Sequence, residues 1–130
     1  SDVYKRQSNM CPMIATCGGR PVFGIGASGG RKILPAVFQI ASYINDFGMD
    51  LDAALSQPRF DVSRINKIIY DPRLDLETQR SLESISTADP WMPVTFPSMY
   101  AVPSGVQITD EGTLFGAAHD QSPLTVAVGV

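Results

Sequence analysis

VFGIGASGGRKILPAVFQIASYINDF, residues 22–47, passes from an apolar run through a group of glycines into a helical pattern. This order predicts a strand, a glycine elbow and the start of a helix. Backbone amides at such an elbow point outward without side chains in the way, and the helix dipole favours negative charge beside them. We therefore expect an anionic group there, either a bound phosphate or the oxyanion that forms when a nucleophile attacks an acyl group.

The segment after the glycines has the spacing of a helix that packs one broad face on a sheet. Pro35 is compatible with a helix only in the first turn, so the helix is expected to begin near Arg31. Gly48 is expected to end it in a left-handed conformation. The apolar stripe consists of Ile33, Val37, Ile40, Ile44 and Phe47, and is widened by Leu34, Phe38 and Ala41.

The rest of the chain alternates between short strand and helix patterns. Asp50 is expected to cap a helix over 51–56, and a later helix over 75–85 is expected to turn Leu76, Leu82 and Ile85 inward. The predicted strands are 13–15 and 22–25 around a turn at 17–21, then 67–70, an edge segment at 94–96, and a final hairpin of 105–108 with 113–117.

Composition limits the class of protein. The chain has 130 residues, of which 44% are hydrophobic, and this is enough for one core in one domain. Ten basic and thirteen acidic side chains give a net charge of −3, and the basic residues are scattered, so a nucleic-acid partner is not expected. No apolar stretch approaches the roughly 20 residues that span a bilayer, so a membrane partner is not expected either.

Cysteine and histidine do not form a metal-binding pattern. Cys11 and Cys17 are six positions apart, and the one histidine, His119, lies near the far end of the chain. We expect no metal and no cofactor. Both cysteines are expected to be half-buried apolar residues, with a disulfide between them left open. His119 is expected to be a solvated surface residue rather than a general base.

The glycines also match a dinucleotide-binding pattern. Gly24, Gly26 and Gly29 satisfy G-x-G-x-x-G between a strand and a helix. That motif requires a parallel strand directly after the helix, followed by an acidic residue, whereas the next strand pattern here begins at Lys67. A dinucleotide-binding module is therefore the alternative interpretation, and a purely structural turn is a further one.

Five short blocks follow one another along the chain: SNMCP at 8–12, GASGGRKI at 26–33, DFGMD at 46–50, QPRF at 57–60 and GTLFGA at 112–117. In this order they resemble the C-terminal part of the small subunit of gamma-glutamyltransferases. The resemblance covers residues 8–130. It implies an α+β fold of the N-terminal-nucleophile hydrolase type, an αββα layered sandwich, and activity on gamma-glutamyl compounds such as glutathione.

The resemblance also implies roles for individual residues. Gly29 and Gly30 match the pair whose backbone amides form the oxyanion hole, in agreement with the interpretation of the elbow. Ser8 and Asn9 match a serine pair that binds the alpha-carboxylate of the glutamyl group, and the Asn9 amide can still donate a hydrogen bond. Ser28 stands where proline is common, and its hydroxyl is a candidate cap for the following helix.

The resemblance lacks one part, because the family's nucleophilic threonine, in a Thr-Thr-His context, has no counterpart here. We therefore expect a fragment that is inactive alone. Its expected partners are a gamma-glutamyl substrate and the upstream part of the same enzyme, meaning the large subunit and the start of the small subunit. Residues 1–7 lie outside this resemblance and are expected to be a non-native leader before a family portion at 8–130.

Two further expectations complete this interpretation. Arg59 is expected to form a structural ion pair with Asp61 or Asp71 rather than to bind a substrate carboxylate. The location is expected to be periplasmic or extracellular, with a cytoplasmic one left open. Besides the dinucleotide-binding module, a non-catalytic scaffold paralogue that keeps only the fold remains an alternative.

Overall fold

The N-terminal hairpin is the first element of the main sheet. The computed structural model describes residues 10–92, 101–119 and 126–128. Strand β1, Met13–Cys17, and strand β2, Arg20–Ser28, pair antiparallel around Gly18 and Gly19, which both have positive φ. The hairpin confirms the predicted strands and turn. However, β2 continues to Ser28, so Gly24 and Gly26 lie inside the strand and the elbow is shorter than predicted.

A second hairpin completes this sheet. Strands β6, Val102–Ile108, and β7, Leu114–Ala118, pair antiparallel and confirm the predicted C-terminal hairpin. The strand order is β1-β2-β6-β7, and every neighbouring pair is antiparallel. The β2–β6 pairing places Ser28 opposite Val102, so the start of β6 lies beside the end of β2.

Two helices cover one face of the sheet. Helix α1, Ile33–Asn45, follows a 3-10 turn at Gly30–Lys32, and Pro35 lies in its first turn as predicted. Gly48 has φ of 67°, which confirms the left-handed conformation after the helix. Helix α2, Leu51–Ser56, is capped by Asp50, whose carboxylate accepts a hydrogen bond from the Ala53 amide at 2.8 Å.

The main core lies between these helices and the sheet. Ile40, Leu51 and Leu55 are fully buried against Phe23 and Ile25 of β2. Burial of such side chains stabilises a fold by roughly 1.5–3 kcal/mol each. The predicted apolar stripe includes residues that are not buried. Leu34 and Phe38 lie on the side of α1 that faces solvent, and Phe47 lies beyond the end of α1 at Asn45; all three are exposed.

A smaller sheet packs beside α1. It consists of strands β3, Phe60–Arg64, β4, Lys67–Tyr70, and β5, Thr87–Pro90, with β4 and β5 parallel and joined by helix α3, Leu76–Ile85. Sequence patterns predicted β4 and α3 but missed β3 and β5.

Helix α3 packs on this sheet along a narrow line. Leu82 is buried with Ile68 and Tyr70, but Leu76 and Ile85 are exposed, so their predicted inward orientation is wrong. At the start of α3, the Asp75 carboxylate accepts a hydrogen bond from the Thr78 amide at 2.8 Å.

The opposite face of the main sheet carries no described helix. One cross-strand row on that face consists of Ile14, Gly24, Val106 and Gly116, and the two side chains in it are exposed. We call this row, together with Leu114 on the same side of β7, the open face. Within the described residues, no helix has both the length and the apolar character needed to cross a membrane.

Candidate functional site

The candidate site is the elbow, residues 28–32, where β2 passes into α1. Gly29 has φ of 141° and Gly30 has φ of 61°, and both values lie in the region that favours glycine. Within the elbow, the Lys32 amide donates to the Gly29 carbonyl at 3.4 Å, and the Ile33 amide donates to the Gly30 carbonyl. Two consecutive glycine amides therefore lie at the start of a helical segment.

The elbow lies against Ala101, a buried residue directly before β6. A Cβ atom placed on Gly29 would stand 2.7 Å from the Ala101 Cα and 3.0 Å from its Cβ, so no larger residue fits without a shift. Ala101 is buried in a cluster with Ile33 and Val37 of α1. At Gly30, in contrast, no described heavy atom lies within 4 Å of such a Cβ, so this side of the elbow is open.

The elbow amides and the neighbouring charges favour an anion. No turn or loop hydrogen bond among the described residues uses the amide of Gly29 or Gly30 as its donor. The basic side chains of Arg31 and Lys32 follow, and the first turns of both helical segments contain no acidic residue. N–H groups at the start of a helix bind anions through hydrogen bonds and the helix dipole. The elbow can therefore donate to one negatively charged oxygen.

Strand β3 contacts the 3-10 turn of the elbow as well as α1. The side chain of Gln39 joins β3 to α1, because it donates from Nε2 to the Phe60 carbonyl at 2.7 Å and accepts from the Phe60 amide through Oε1 at 3.0 Å. Sequence reasoning missed this residue. Its signal was a polar side chain within an apolar helical stripe, since buried polar groups are almost always hydrogen-bonded.

His119 lies at the end of the main sheet that is near the elbow. Its amide donates to the Pro103 carbonyl at 3.0 Å, and Pro103 pairs with Ala27 of β2. At a strand spacing of about 4.8 Å, the backbone of His119 lies roughly 10 Å from the end of β2. The prediction of a solvated surface residue is wrong, because β7 carries His119 to the buried end of the sheet, where it is 5% exposed.

Arg59 and Asp71 flank the β3–β4 pair of the smaller sheet, where the Asp71 amide donates to the Arg59 carbonyl at 2.8 Å. Arg73 holds Asp71 with a Nη2–Oδ2 distance of 2.8 Å and Nε distances of 3.1 and 3.2 Å to the two carboxylate oxygens. Burial by itself would raise the pKa of Asp71, but the hydrogen bonds and charge of Arg73, with the charge of Arg59, hold it below its usual value. Arg59 thus lowers the pKa of Asp71, one of its two predicted partners, through its charge, whereas the ion pair shown for Asp71 is with Arg73.

The remaining predicted site residues have different outcomes. Ser8 and Asn9 lie outside the described residues. Ser28 is the last residue of β2, and in the described chain no side chain caps the 3-10 turn or α1, so the predicted Ser28 cap is wrong. Cys11 and Cys17 are free thiols, and Cys17 is exposed rather than half-buried because it lies beside the hairpin turn.

Metal and dinucleotide binding receive no support from the geometry. Across residues 10–92, 101–119 and 126–128, no three His, Cys, Asp or Glu side chains lie together as metal ligands could. A dinucleotide fingerprint needs its glycines in the turn and a parallel strand after the helix. Here Gly24 and Gly26 pair with Val106 and Ser104 inside an antiparallel sheet, and α1 is followed by α2.

Relatives of known name match nearly all of the chain. It is 25% identical over 123 residues to the glutathione hydrolase proenzyme of Bacillus subtilis strain 168, covering 95% of this chain and 20% of that protein. It is 28% identical over 122 residues to glutathione hydrolase proenzyme 1 of Schizosaccharomyces pombe, covering 93% and 19%. The chain therefore spans about a fifth of the length of these relatives.

Solved structures share the fold. A gamma-glutamyltranspeptidase of Helicobacter pylori matches with a TM-score of 0.75 at 19% identity, covering 94% of this chain and 66% of that one. The Bacillus anthracis transpeptidase enzyme CapD matches with a TM-score of 0.75 at 18% identity, covering 98% and 75%. These likenesses confirm the predicted α+β fold of the N-terminal-nucleophile hydrolase type.

A family model identifies the family of the chain. The model described as gamma-glutamyltranspeptidase matches residues 4–125, which include strands β1–β7, the elbow and helices α1–α3. The resemblance found in the five sequence blocks is thereby confirmed over almost the whole chain. The chain belongs to the gamma-glutamyltranspeptidase family.

Proposed function

We propose that this chain is the part of a gamma-glutamyltransferase or glutathione hydrolase that supplies the oxyanion hole. The observation that carries the proposal is the elbow, where two consecutive glycine amides lie at a helix start beside basic residues in a chain of this family. Gly29 and Gly30 would donate hydrogen bonds from these amides. The reaction would be cleavage of a gamma-glutamyl amide such as glutathione.

The proposed chemistry is acyl transfer through a covalent intermediate. A threonine hydroxyl from outside this chain would attack the gamma-carbonyl carbon, and the carbonyl oxygen would become an oxyanion at Gly29 and Gly30. The tetrahedral intermediate would collapse as the C–N bond breaks and the amine leaves with a proton. Water or an acceptor amine would then release the glutamyl group from the threonine ester.

Substrate binding is assigned to the residues before β1. Ser8 and Asn9 would bind the alpha-carboxylate of the glutamyl group through side-chain hydrogen bonds. A carboxylate that is held equally in the ground and transition states contributes to KM rather than to kcat. Asn9→Ala in the complete enzyme should therefore raise KM while kcat stays nearly unchanged, and a fall in kcat alone would contradict this role.

The partner we propose is the upstream part of the same enzyme. The open face supports this, because Ile14, Val106 and Leu114 expose apolar side chains on one side of a sheet that has helices on the other. Stacked sheets bury such faces against each other.

A periplasmic or extracellular location is part of the same proposal, and cell fractionation of the producing organism tests it.

The test of the proposed function is turnover by the complete enzyme that contains this segment. Release of the aniline from a chromogenic gamma-glutamyl anilide should be observed. Gly30→Ala should lower kcat by about a hundredfold or more, because alanine is strained at the positive φ of residue 30 and its amide would be turned away, which has the effect of losing one oxyanion donor. A complete enzyme with an intact threonine nucleophile that does not turn over the anilide would contradict the proposal and favour a non-catalytic scaffold.

A further inference from the structure

Gln39 makes an unusual set of contacts for a residue in the middle of a helix. Its side chain is 8% exposed and makes both backbone hydrogen bonds of Phe60, one as donor at 2.7 Å and one as acceptor at 3.0 Å. Nε2 also donates to the Pro35 carbonyl, one turn earlier in α1, at 2.8 Å. The amide side chain thus pairs with the first residue of β3 as a neighbouring strand would.

This pairing holds β3 at the elbow. Strand β3 contacts the 3-10 turn Gly30–Lys32, and Pro35 lies in the first turn of the helix that follows. On its other side the elbow rests on Ala101, at the start of β6. The elbow is therefore supported from two directions, by a direct contact with the main sheet and by β3, whose place is set by Gln39.

We propose that Gln39 is a positioning residue for the elbow: by pairing with Phe60 it holds β3 against the 3-10 turn and so keeps the Gly29 and Gly30 amides aimed. Its effect on catalysis rests on the proposed function, whereas its effect on the elbow does not. A small misplacement of aligned groups lowers the rate of the chemical step without weakening substrate binding in proportion.

Tyr43 offers a matched control on the same helix. It lies one turn further from the elbow than Gln39, and its hydroxyl donates to the Pro58 carbonyl at 2.8 Å. Tyr43 thus binds the segment that leads into β3, whereas Gln39 binds the first residue of β3 itself. Tyr43→Phe removes one α1-to-backbone hydrogen bond and leaves the pairing with Phe60 intact.

The experiment compares Gln39→Met, Gln39→Glu and Tyr43→Phe in the complete enzyme. Methionine keeps the length of the side chain but makes none of the three hydrogen bonds, and glutamate keeps the acceptor while losing both donor contacts. Hydrogen–deuterium exchange, followed by mass spectrometry on a peptide covering residues 28–34, reports the Lys32 and Ile33 amides, which are bonded within the elbow. The kcat and KM for a gamma-glutamyl anilide are measured on the same samples.

Both Gln39 variants should speed exchange of the 28–34 peptide by about tenfold, while Tyr43→Phe should leave it unchanged. The Gln39 variants should also lower kcat by about tenfold or more with little change in KM. Exchange that stays at the wild-type rate in both Gln39 variants would overturn the inference. Equal acceleration by Tyr43→Phe would overturn it too, because the effect would then be a general loosening of α1.

The exchange measurement does not depend on turnover. A wild-type enzyme without activity on the anilide would contradict the proposed function, and the exchange comparison would still decide whether Gln39 positions the elbow. If Gln39→Met does not fold, Gln39→Glu, which keeps the bond from the Phe60 amide, serves for the same comparison.

Discussion

Gly29 lies against Ala101 so closely that a Cβ atom on the glycine would stand 2.7 Å from the Ala101 Cα. The two residues belong to neighbouring strand ends, since Ser28 is paired with Val102. The contact places the start of α1 directly on the main sheet. It also separates the two elbow glycines by role, because a side chain at Gly29 would collide with backbone whereas one at Gly30 would enter open space.

Gly29→Ala is expected to lower both stability and turnover of the complete enzyme. The added methyl group must push β6 or the elbow aside, and overpacking of this kind costs about 1–3 kcal/mol. The free energy of unfolding, measured by urea denaturation, should fall by at least this amount. Wild-type stability in the variant would show that the elbow does not rest on Ala101 as described.

The 130-residue chain alone is expected to have no activity on a chromogenic gamma-glutamyl anilide. Its sequence contains no threonine in the Thr-Thr-His context that the family uses as nucleophile. Release of the aniline is measured against a heat-inactivated control. Turnover above that control would require a different nucleophile, with Ser8, Cys11 and Cys17 as the first candidates.

Titration calorimetry with NAD and with ATP is expected to show no binding. Gly24 and Gly26 are paired inside an antiparallel sheet, so their backbone is not available to a pyrophosphate, and the open side of the elbow among the described residues is at Gly30. Binding of either nucleotide in the micromolar range, abolished by Gly30→Ala, would favour the dinucleotide-binding alternative instead.

Asp71→Asn is expected to destabilise the protein at neutral pH and to have less effect in acid. The pKa of Asp71 is lowered in the folded state, so its contribution is present above the unfolded value of about 3.9 and is lost as the pH falls below that value. Urea denaturation at pH 7 should show a loss of about 1–2 kcal/mol, since the buried carboxylate accepts several hydrogen bonds from Arg73.

The matched control for Asp71 is Asp89→Asn. Asp89 forms an ion pair with Lys67 in which both side chains are partly exposed, and such pairs contribute about 0–1 kcal/mol. A loss of stability for Asp71→Asn that is no larger than for Asp89→Asn, or one that grows in acid, would contradict the assignment.

The parts of the fold that follow from local chemistry were predictable from sequence. Helix α1 has a 3.6-residue apolar stripe, Asp50 and Asp75 are capping residues, and Gly48 ends a helix, so each carries its own signal. Strands β3 and β5 carry no such sequence signal, because they are only five and four residues long and contain polar residues or proline. Their pairing is set by tertiary contacts.

The elbow was predictable as a feature but not in its extent. Glycines in a sequence do not reveal whether they form a turn or lie in a strand, and Gly24 lies in β2, where its carbonyl would be 2.6 Å from a Cβ on Gly105.

Contacts between residues that are distant in sequence were not predictable. The burial of His119 depends on Pro103, sixteen positions earlier, and Gln39 forms hydrogen bonds with Phe60, which is distant in sequence. Ser8, Asn9 and the predicted edge segment at 94–96 lie outside the described residues.

The kcat of Gly30→Ala compared with that of Gly48→Ala tests most directly whether the elbow is an oxyanion hole. The two glycines have nearly equal φ values, 61° and 67°, and no described heavy atom lies within 4 Å of a Cβ at either, so both variants should lose about 1 kcal/mol of stability. At saturating gamma-glutamyl anilide, Gly30→Ala should lower kcat of the complete enzyme by about a hundredfold or more, and Gly48→Ala should leave it near the wild-type value. Full turnover by Gly30→Ala at saturation, or equal losses in both variants, would contradict the assignment of the oxyanion hole to this elbow.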